Sequence, residues 1–270
     1  MLRAAKQTKA GPAIPFDLPR VTPAARARAA RLLSALEAAY PDAHCELTWS
    51  KPHELLIATI LSAQCTDVAV NKATPALFAR FPAPADYAAA SPADIEPFVK
   101  SLGFFRSKAR AVHEAMRALV ERHGGDVPRT MDELLALRGV ARKTANVVLG
   151  NAFGINAGVV VDTHVERLSR RLALAPPGTS VPMIERRLMA LFPRESWCQL
   201  SHLLIFHGRR ACSARGEKCP SGNGRCCSTH PICREFGTAC ELSRDGRRPS
   251  RATRKKGPRR ARTTIPHADR

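Results

Sequence analysis

From Pro23 onward the apolar positions of the chain recur at helical spacing. Leu32, Leu33 and Leu36 fall on one face of an Ala-rich stretch, which predicts an amphipathic helix. A second helix is predicted from Pro52, a residue suited to a first helical turn, through Leu55, Leu56, Ile57, Ile60 and Leu61. The same period predicts helices over roughly 69–80, 93–100, 106–122, 131–137, 142–152, 164–173, 181–191 and 195–207. Gly124-Gly125 and Pro176-Pro177-Gly178 mark breaks between them. No alternating period-2 run occurs, and Gly158–Val161 is too short to build a sheet, so an all-α fold is expected. No fixed period recurs, which excludes a solenoid. Residues 1–22 hold Pro12, Pro15 and Pro19 without a helical period and predict a mobile basic arm. Residues 241–270 are rich in Arg, Lys and Pro and predict a disordered basic tail.

Composition adds a partner to this picture. Hydrophobic residues make up 44% of the 270, enough for a globular core. Lys and Arg number 43 against 23 Asp and Glu, a net charge of +20. The tail carries +8 of this and residues 1–22 carry +3, which leaves +9 on residues 23–240. The folded part is basic in its own right, and the simplest polyanionic partner is nucleic acid. No apolar run approaches the ~18 residues of a membrane span. Met1–Lys6 is charged with no apolar stretch behind it, which argues against a secretory signal. The expectation is a soluble cytoplasmic, nucleoid-associated protein. No pattern argues for an oligomer, so a monomer is expected.

Nine cysteines are unevenly spread. Cys45, Cys65 and Cys198 lie in or beside helical patterns and read as small buried apolar residues. Cys212, Cys219, Cys226, Cys227, Cys233 and Cys240 crowd into 29 residues. A reducing compartment disfavours a disulfide framework, so this density points to zinc or an iron–sulfur cluster. Both accept four thiolates, and His230 also allows a mixed Cys/His zinc site.

The stretch Leu137-Arg138-Gly139-Val140-Ala141-Arg142-Lys143-Thr144 joins two predicted helices through a tight Gly-containing turn. Such a helix–hairpin–helix can present backbone N–H groups and a positive helix end to one DNA phosphate, without reading sequence. An ordinary helical turn would look the same. Lys143 falls in the first turn of the second helix, where a cation opposes the helix dipole, and Arg142 is its neighbour. Both effects favour the neutral amine, which can attack a sugar C1′ and form a Schiff base. A solvated, phosphate-contacting lysine is the plainer reading. Nineteen positions on, Asp162 follows the apolar run Val159-Val160-Val161. Thr163 with Glu166 fits a capping box, making Asp162 a helix-start residue; a carboxylate there could instead face Lys143 and take protons.

Three separate motifs, in this order, resemble the endonuclease III branch of the helix–hairpin–helix DNA glycosylases. They are Leu61-Ser62-Ala63-Gln64-Cys65-Thr66-Asp67, the stretch 137–172, and Ser201–Arg209, which ends in Phe206-His207-Gly208-Arg209. The likeness spans about residues 24–240. It implies two helical domains with a DNA cleft between them. One is a six-helix bundle over 45–155; the other combines 23–44 with 156–240 and carries a [4Fe–4S] cluster. It implies that Lys143 is the Schiff-base nucleophile and Asp162 the catalytic aspartate. Gln64 would fill the gap left by an extruded nucleotide, and Phe104 stands where the family places an apolar wedge. Arg138, Gly139, Val140, Ala141, Arg142 and Thr144 would meet the DNA backbone. The implied enzyme excises oxidised or reduced pyrimidines from double-stranded DNA and cleaves abasic sites as an AP lyase.

The chain departs from the family pattern in three places. The family hairpin reads Leu-Pro-Gly-Val-Gly, whereas Arg138 and Ala141 stand for its Pro and second Gly. A left-handed Ala141 would be strained. The family cluster spacing is Cys-x6-Cys-x2-Cys-x5-Cys. Cys212-x6-Cys219 and Cys227-x5-Cys233 fit, but the middle gap is seven residues and Cys226 competes with Cys227. The ligand set implied is Cys212, Cys219, Cys227 and Cys233. One extra residue falls near Asn156–Gly158, in a predicted loop. The alternative function is a non-catalytic DNA-binding helix–hairpin–helix protein with a structural metal, and the lysine–aspartate pair speaks against it.

Overall fold

A computed structural model describes residues 11–214 and 230–237. Among them every regular element is helical. The helices are α1 (Pro23–Ala39), α2 (Pro52–Leu61), α3 (Asp67–Arg80), α4 (Pro84–Ala89), α5 (Pro92–Val99), α6 (Phe105–His123), α7 (Met131–Leu135), α8 (Arg142–Phe153), α9 (Thr163–Arg171), α10 (Val181–Leu191), α11 (Trp197–Arg210) and α12 (Pro231–Phe236), with a 3₁₀ turn at Arg194–Ser196 before α11.

Starts and stops follow the local chemistry. Thr22, Thr66 and Thr130 cap α1, α3 and α7 through their hydroxyls. Gly124 and Gly154 end α6 and α8 in the left-handed conformation. Two short helices, α4 and α12, escape the periodicity because six residues are under two turns. Each begins with a proline in its first turn, and Asp86 reaches back to accept from Ala83 N at 2.8 Å.

Buried side chains form two separate cores. The first runs from Leu47 to Ala157 and is built by α2–α8. The second joins Ala29–Ala43 of the α1 region with residues from Val159 to Phe236. The chain therefore starts in one core, builds the other and returns. Segment 11–22, expected to be mobile, is laid along the second core in the structure. Ile14, Phe16, Leu18 and Val21 pack against that core, and Phe16 lies under the guanidinium groups of both Arg142 and Arg186. Apolar side chains at alternate positions anchor a segment that lacks a helical period. Residues 1–10 and the basic tail 241–270 lie outside the described residues.

The two cores are tied together at the start of α8. Glu185 on α10 is buried and accepts from Arg142 Nε at 2.9 Å and from Asn146 Nδ2 at 3.0 Å. Gly158 passes so close that a Cβ there would lie 2.2 Å from Glu185 Oε1. The loop holding the extra residue is fixed as well. Asn156 Oδ1 accepts from Cys198 N at 3.0 Å, and Arg194 Nε donates to Asn156 O at 2.9 Å.

Candidate active site

Lys143 and Asp162 sit on different helices yet line the same cavity. A cleft of about 820 Å³ and a recess of about 90 Å³ share lining residues; both residues border both spaces, with Ser62, Asp67 and Arg209. Lys143 is the second residue of α8, exposed at its N-terminal turn. Asp162 is the N-cap of α9: its Oδ1 accepts from His164 N and Val165 N, both at 2.8 Å. Asp162 itself does the capping, in place of the expected Thr163–Glu166 box, and Glu166 pairs with Arg170 at 2.8 Å instead. The cap fixes the carboxylate's orientation at the cavity wall without removing it from the cavity.

Asp67 and Arg209 complete the rim. Arg209 donates to Asp67 Oδ2 at 2.7 Å and also pairs with Glu46. Burial pushes the Asp67 carboxyl up, Lys143 opposes that rise, Asp162 adds to it and His164 opposes it; the Arg209 bond favours the charged form. Sequence reasoning gave these two residues no role, although each lies within a motif that carried the resemblance.

Three exposed residues other than glycine hold left-handed backbone: Ala173, just after α9, and two that bear on the site. Gln64 has φ 56° and Phe104 φ 58°, the left-handed region that costs a residue with a Cβ about 1–2 kcal/mol. Such conformations persist only where the surroundings impose them. Gln64 lines the cleft, and Phe104 is 69% exposed, with buried Leu102 two positions before it. Cys65 links the two strained positions: its sulfur accepts from Lys108 Nζ at 3.0 Å and from the backbone of Gly103. Burial raises the Cys65 thiol, but the hydrogen bonds from Lys108 and Gly103 and the Lys108 charge outweigh it, so the net direction is down.

The hairpin is built as its sequence suggests. Leu137 and Val140 are buried in the first core, and Gly139 turns the chain at φ 78°. A Cβ on Gly139 would meet the Ala111 Cβ at 3.1 Å, so both backbone and space call for glycine. Ala141 is extended at φ −96°, so the missing second glycine brings no strain. The candidate backbone contacts divide. Arg138 is exposed and pairs with Glu114 at 3.4 Å, while Arg142 is turned away to Glu185 and Phe16. The Arg142 charge is therefore compensated rather than bare beside Lys143. Val140 donates its N–H to Leu137 O at 3.2 Å. Ala141 and half-buried Thr144 flank Lys143, where first-turn N–H groups have no helical acceptor.

Residues 57–194 match the profile of the HhH-GPD superfamily of base excision DNA repair proteins. Endonuclease III of Synechocystis sp. is 51% identical over 203 residues, covering 75% of this chain and 90% of that protein. The chain belongs to the endonuclease III family. Endonuclease III of Escherichia coli is 41% identical over 196 residues, covering 73% of this chain and 92% of that protein. A solved structure of a trapped endonuclease III–DNA covalent intermediate superposes with a TM-score of 0.72 at 40% identity, covering 82% of this chain and 97% of that one. A non-covalent endonuclease III–DNA complex gives the same TM-score at 39% identity, covering 83% and 98%.

Of the four metal ligands that membership in the family suggests, Cys219 and Cys227 lie outside the described residues, as do Cys226 and Cys240. Cys212 and Cys233 are both buried. The Cys233 thiol beside it draws the Cys212 thiol well below its ordinary range, against burial and with help from Arg171 and Arg167. Thiolate is the ligating form, so this environment fits a metal centre. His207, absent from the sequence-based ligand set, lies with its Nε2 3.4 Å from Cys233 Sγ, and His207, His230 and Cys233 form a group able to hold a metal ion. Tyr40 OH bonds His207 Nδ1 at 2.8 Å and fixes the ring.

Proposed function

We propose that the chain is a bifunctional DNA glycosylase and AP lyase of base excision repair, acting as a monomer on double-stranded DNA in the nucleoid. Its substrates are duplexes holding an oxidised or reduced pyrimidine or an abasic site. Lys143 and Asp162, nineteen residues apart and on different helices, border one recess between the two cores, and that juxtaposition carries the reading. A base inside the duplex is out of reach, so it must be extruded, and inserted side chains offset part of the lost stacking. Gln64 and Phe104, exposed and held in strained backbone, are suited to that insertion.

Lys143 Nζ then attacks C1′ as the bond from C1′ to the base nitrogen breaks. The departing base takes up a proton; the C1′–O4′ bond then opens, O4′ takes a proton released by the amine, and the C1′–nitrogen double bond of the imine forms. Removal of a C2′ proton expels the 3′ phosphate by β-elimination. Asp162, oriented by its two backbone bonds, stabilises the positive charge that develops on the sugar and accepts protons from the amine.

Cys212 and Cys233, with Cys219 and Cys227, would hold a [4Fe–4S] cluster that supplies a structural clamp on the segment following α11. The test is single-turnover excision of 5,6-dihydrouracil from a duplex. Lys143→Gln is expected to lose both excision and strand cleavage, by on the order of 10³-fold or more, and Asp162→Asn to lose excision. Full activity in Lys143→Gln would contradict the reading.

A further inference from the structure

Beyond Lys143 the recess is lined by α8 and α11. Asn151 lies eight residues past Lys143 on α8, about 12 Å along the helix axis, and faces His202 on α11. Their hydrogen bonds define which atom carries which proton. Asn151 Nδ2 is 2.8 Å from Val147 O, a contact only an N–H can make. The Asn151 oxygen therefore faces His202, and Nε2 at 2.8 Å must be the protonated ring nitrogen. Cys198 Sγ lies farther from the same nitrogen, at 3.8 Å. The neutral imidazole then carries a bare lone pair on Nδ1. Burial, with His44 adding to it, lowers His202 to about 4 and keeps the ring neutral.

Among the described residues no hydrogen-bond donor pairs with His202 Nδ1, and the half-buried ring lines the recess. The other hydroxyls there are engaged. Ser201 Oγ accepts from Val160 N at 3.0 Å and donates to Trp197 O at 3.1 Å, and Thr59 donates to Leu55 O at 2.7 Å.

Building on the glycosylase reading, we propose that His202 Nδ1, held as an acceptor by Asn151, receives the N3–H of the extruded pyrimidine. Rings of the uracil and thymine type carry a proton at N3. Cytosine-type rings present a lone pair there, which would meet the lone pair of Nδ1. The site therefore prefers lesions with an imide edge, and His202 is a base-reading residue positioned by Asn151.

The test uses two duplexes that differ only at this edge, one with 5-hydroxyuracil and one with 5-hydroxycytosine. Excision rates are measured under single-turnover conditions and divided by each variant's own cleavage rate on an abasic site, which needs no base contact. The native enzyme is expected to favour 5-hydroxyuracil by about tenfold or more. His202→Phe should bring the ratio near one. Asn151→Asp, nearly isosteric, places a carboxylate on Nε2, favours the doubly protonated ring and should shift the ratio toward 5-hydroxycytosine. A native ratio near one, or the native ratio persisting in both variants, overturns the inference while leaving the glycosylase intact. Absence of both excision and abasic-site cleavage in the native protein overturns the glycosylase reading itself, and the inference with it.

Discussion

Arg209 donates to Asp67 Oδ2 at 2.7 Å and so joins the last turn of α11, in the second core, to the first residue of α3, in the first. The bridge stands at the rim of the recess that holds Lys143 and Asp162. It fixes the spacing of the two cores where the reacting sugar must sit. Arg209→Ala should therefore lower excision on the order of 10²-fold, the scale of a one-ångström misplacement. Asp67→Asn should lower it by less, and the double variant should lose less than the product of the two. Single-turnover rates on one lesion duplex measure this; multiplicative losses would mean that the two residues act apart.

The hairpin gives a stability contrast. Gly139→Ala must place a Cβ at φ 78° and 3.1 Å from the Ala111 Cβ. It should destabilise the fold by about 1–2 kcal/mol. Ala141→Gly should change stability by only a few tenths of a kcal/mol, because Ala141 is already extended and exposed. Urea midpoints of the two variants check both. Equal losses would mean that the turn tolerates a side chain at either position.

Phe104 offers a trade between stability and activity. Its left-handed backbone and exposed ring add nothing to the core. Phe104→Gly should stabilise the protein by up to about 1 kcal/mol while weakening excision from intact duplex more than cleavage of an abasic site, where stacking is already broken. A variant that melts earlier, or one that excises normally, would remove the wedge role.

Much of this was legible in the sequence because helical periods and helix-end residues are local signals. Lys143, Gly139 and Asp162 could be placed from a few neighbours. The Asn151–His202 pair could not: its members are fifty-one positions apart, on two helices whose packing no short pattern reports. The Arg142–Glu185 pair is equally hidden from sequence: buried Glu185, 43 positions away, takes the guanidinium that local sequence leaves beside Lys143. The packing of segment 11–22 is not legible either, because Ile14, Phe16, Leu18 and Val21 touch the second core without a helical period.

Half-buried His202 makes stability depend on pH. Its ring stays neutral in the folded state, with a value lowered to about 4 by burial, below the ordinary 6.5. A depressed histidine contributes stability that is fully present above about pH 6.5 and is lost as pH falls toward 4. Between pH 7 and 5 the loss is about 2 kcal/mol. Comparing urea midpoints of the native protein and His202→Phe across that range isolates it. An identical pH dependence in the two would mean that the ring is solvated in the native state.

In the proposed reaction Lys143 forms a covalent imine with the sugar. Borohydride reduction of the protein on an abasic-site duplex, followed by peptide mapping of the adduct, tests it most directly. One adduct is expected, on Lys143, and it should disappear in Lys143→Gln while DNA binding remains. An adduct on another amine, or none despite intact binding, would contradict it.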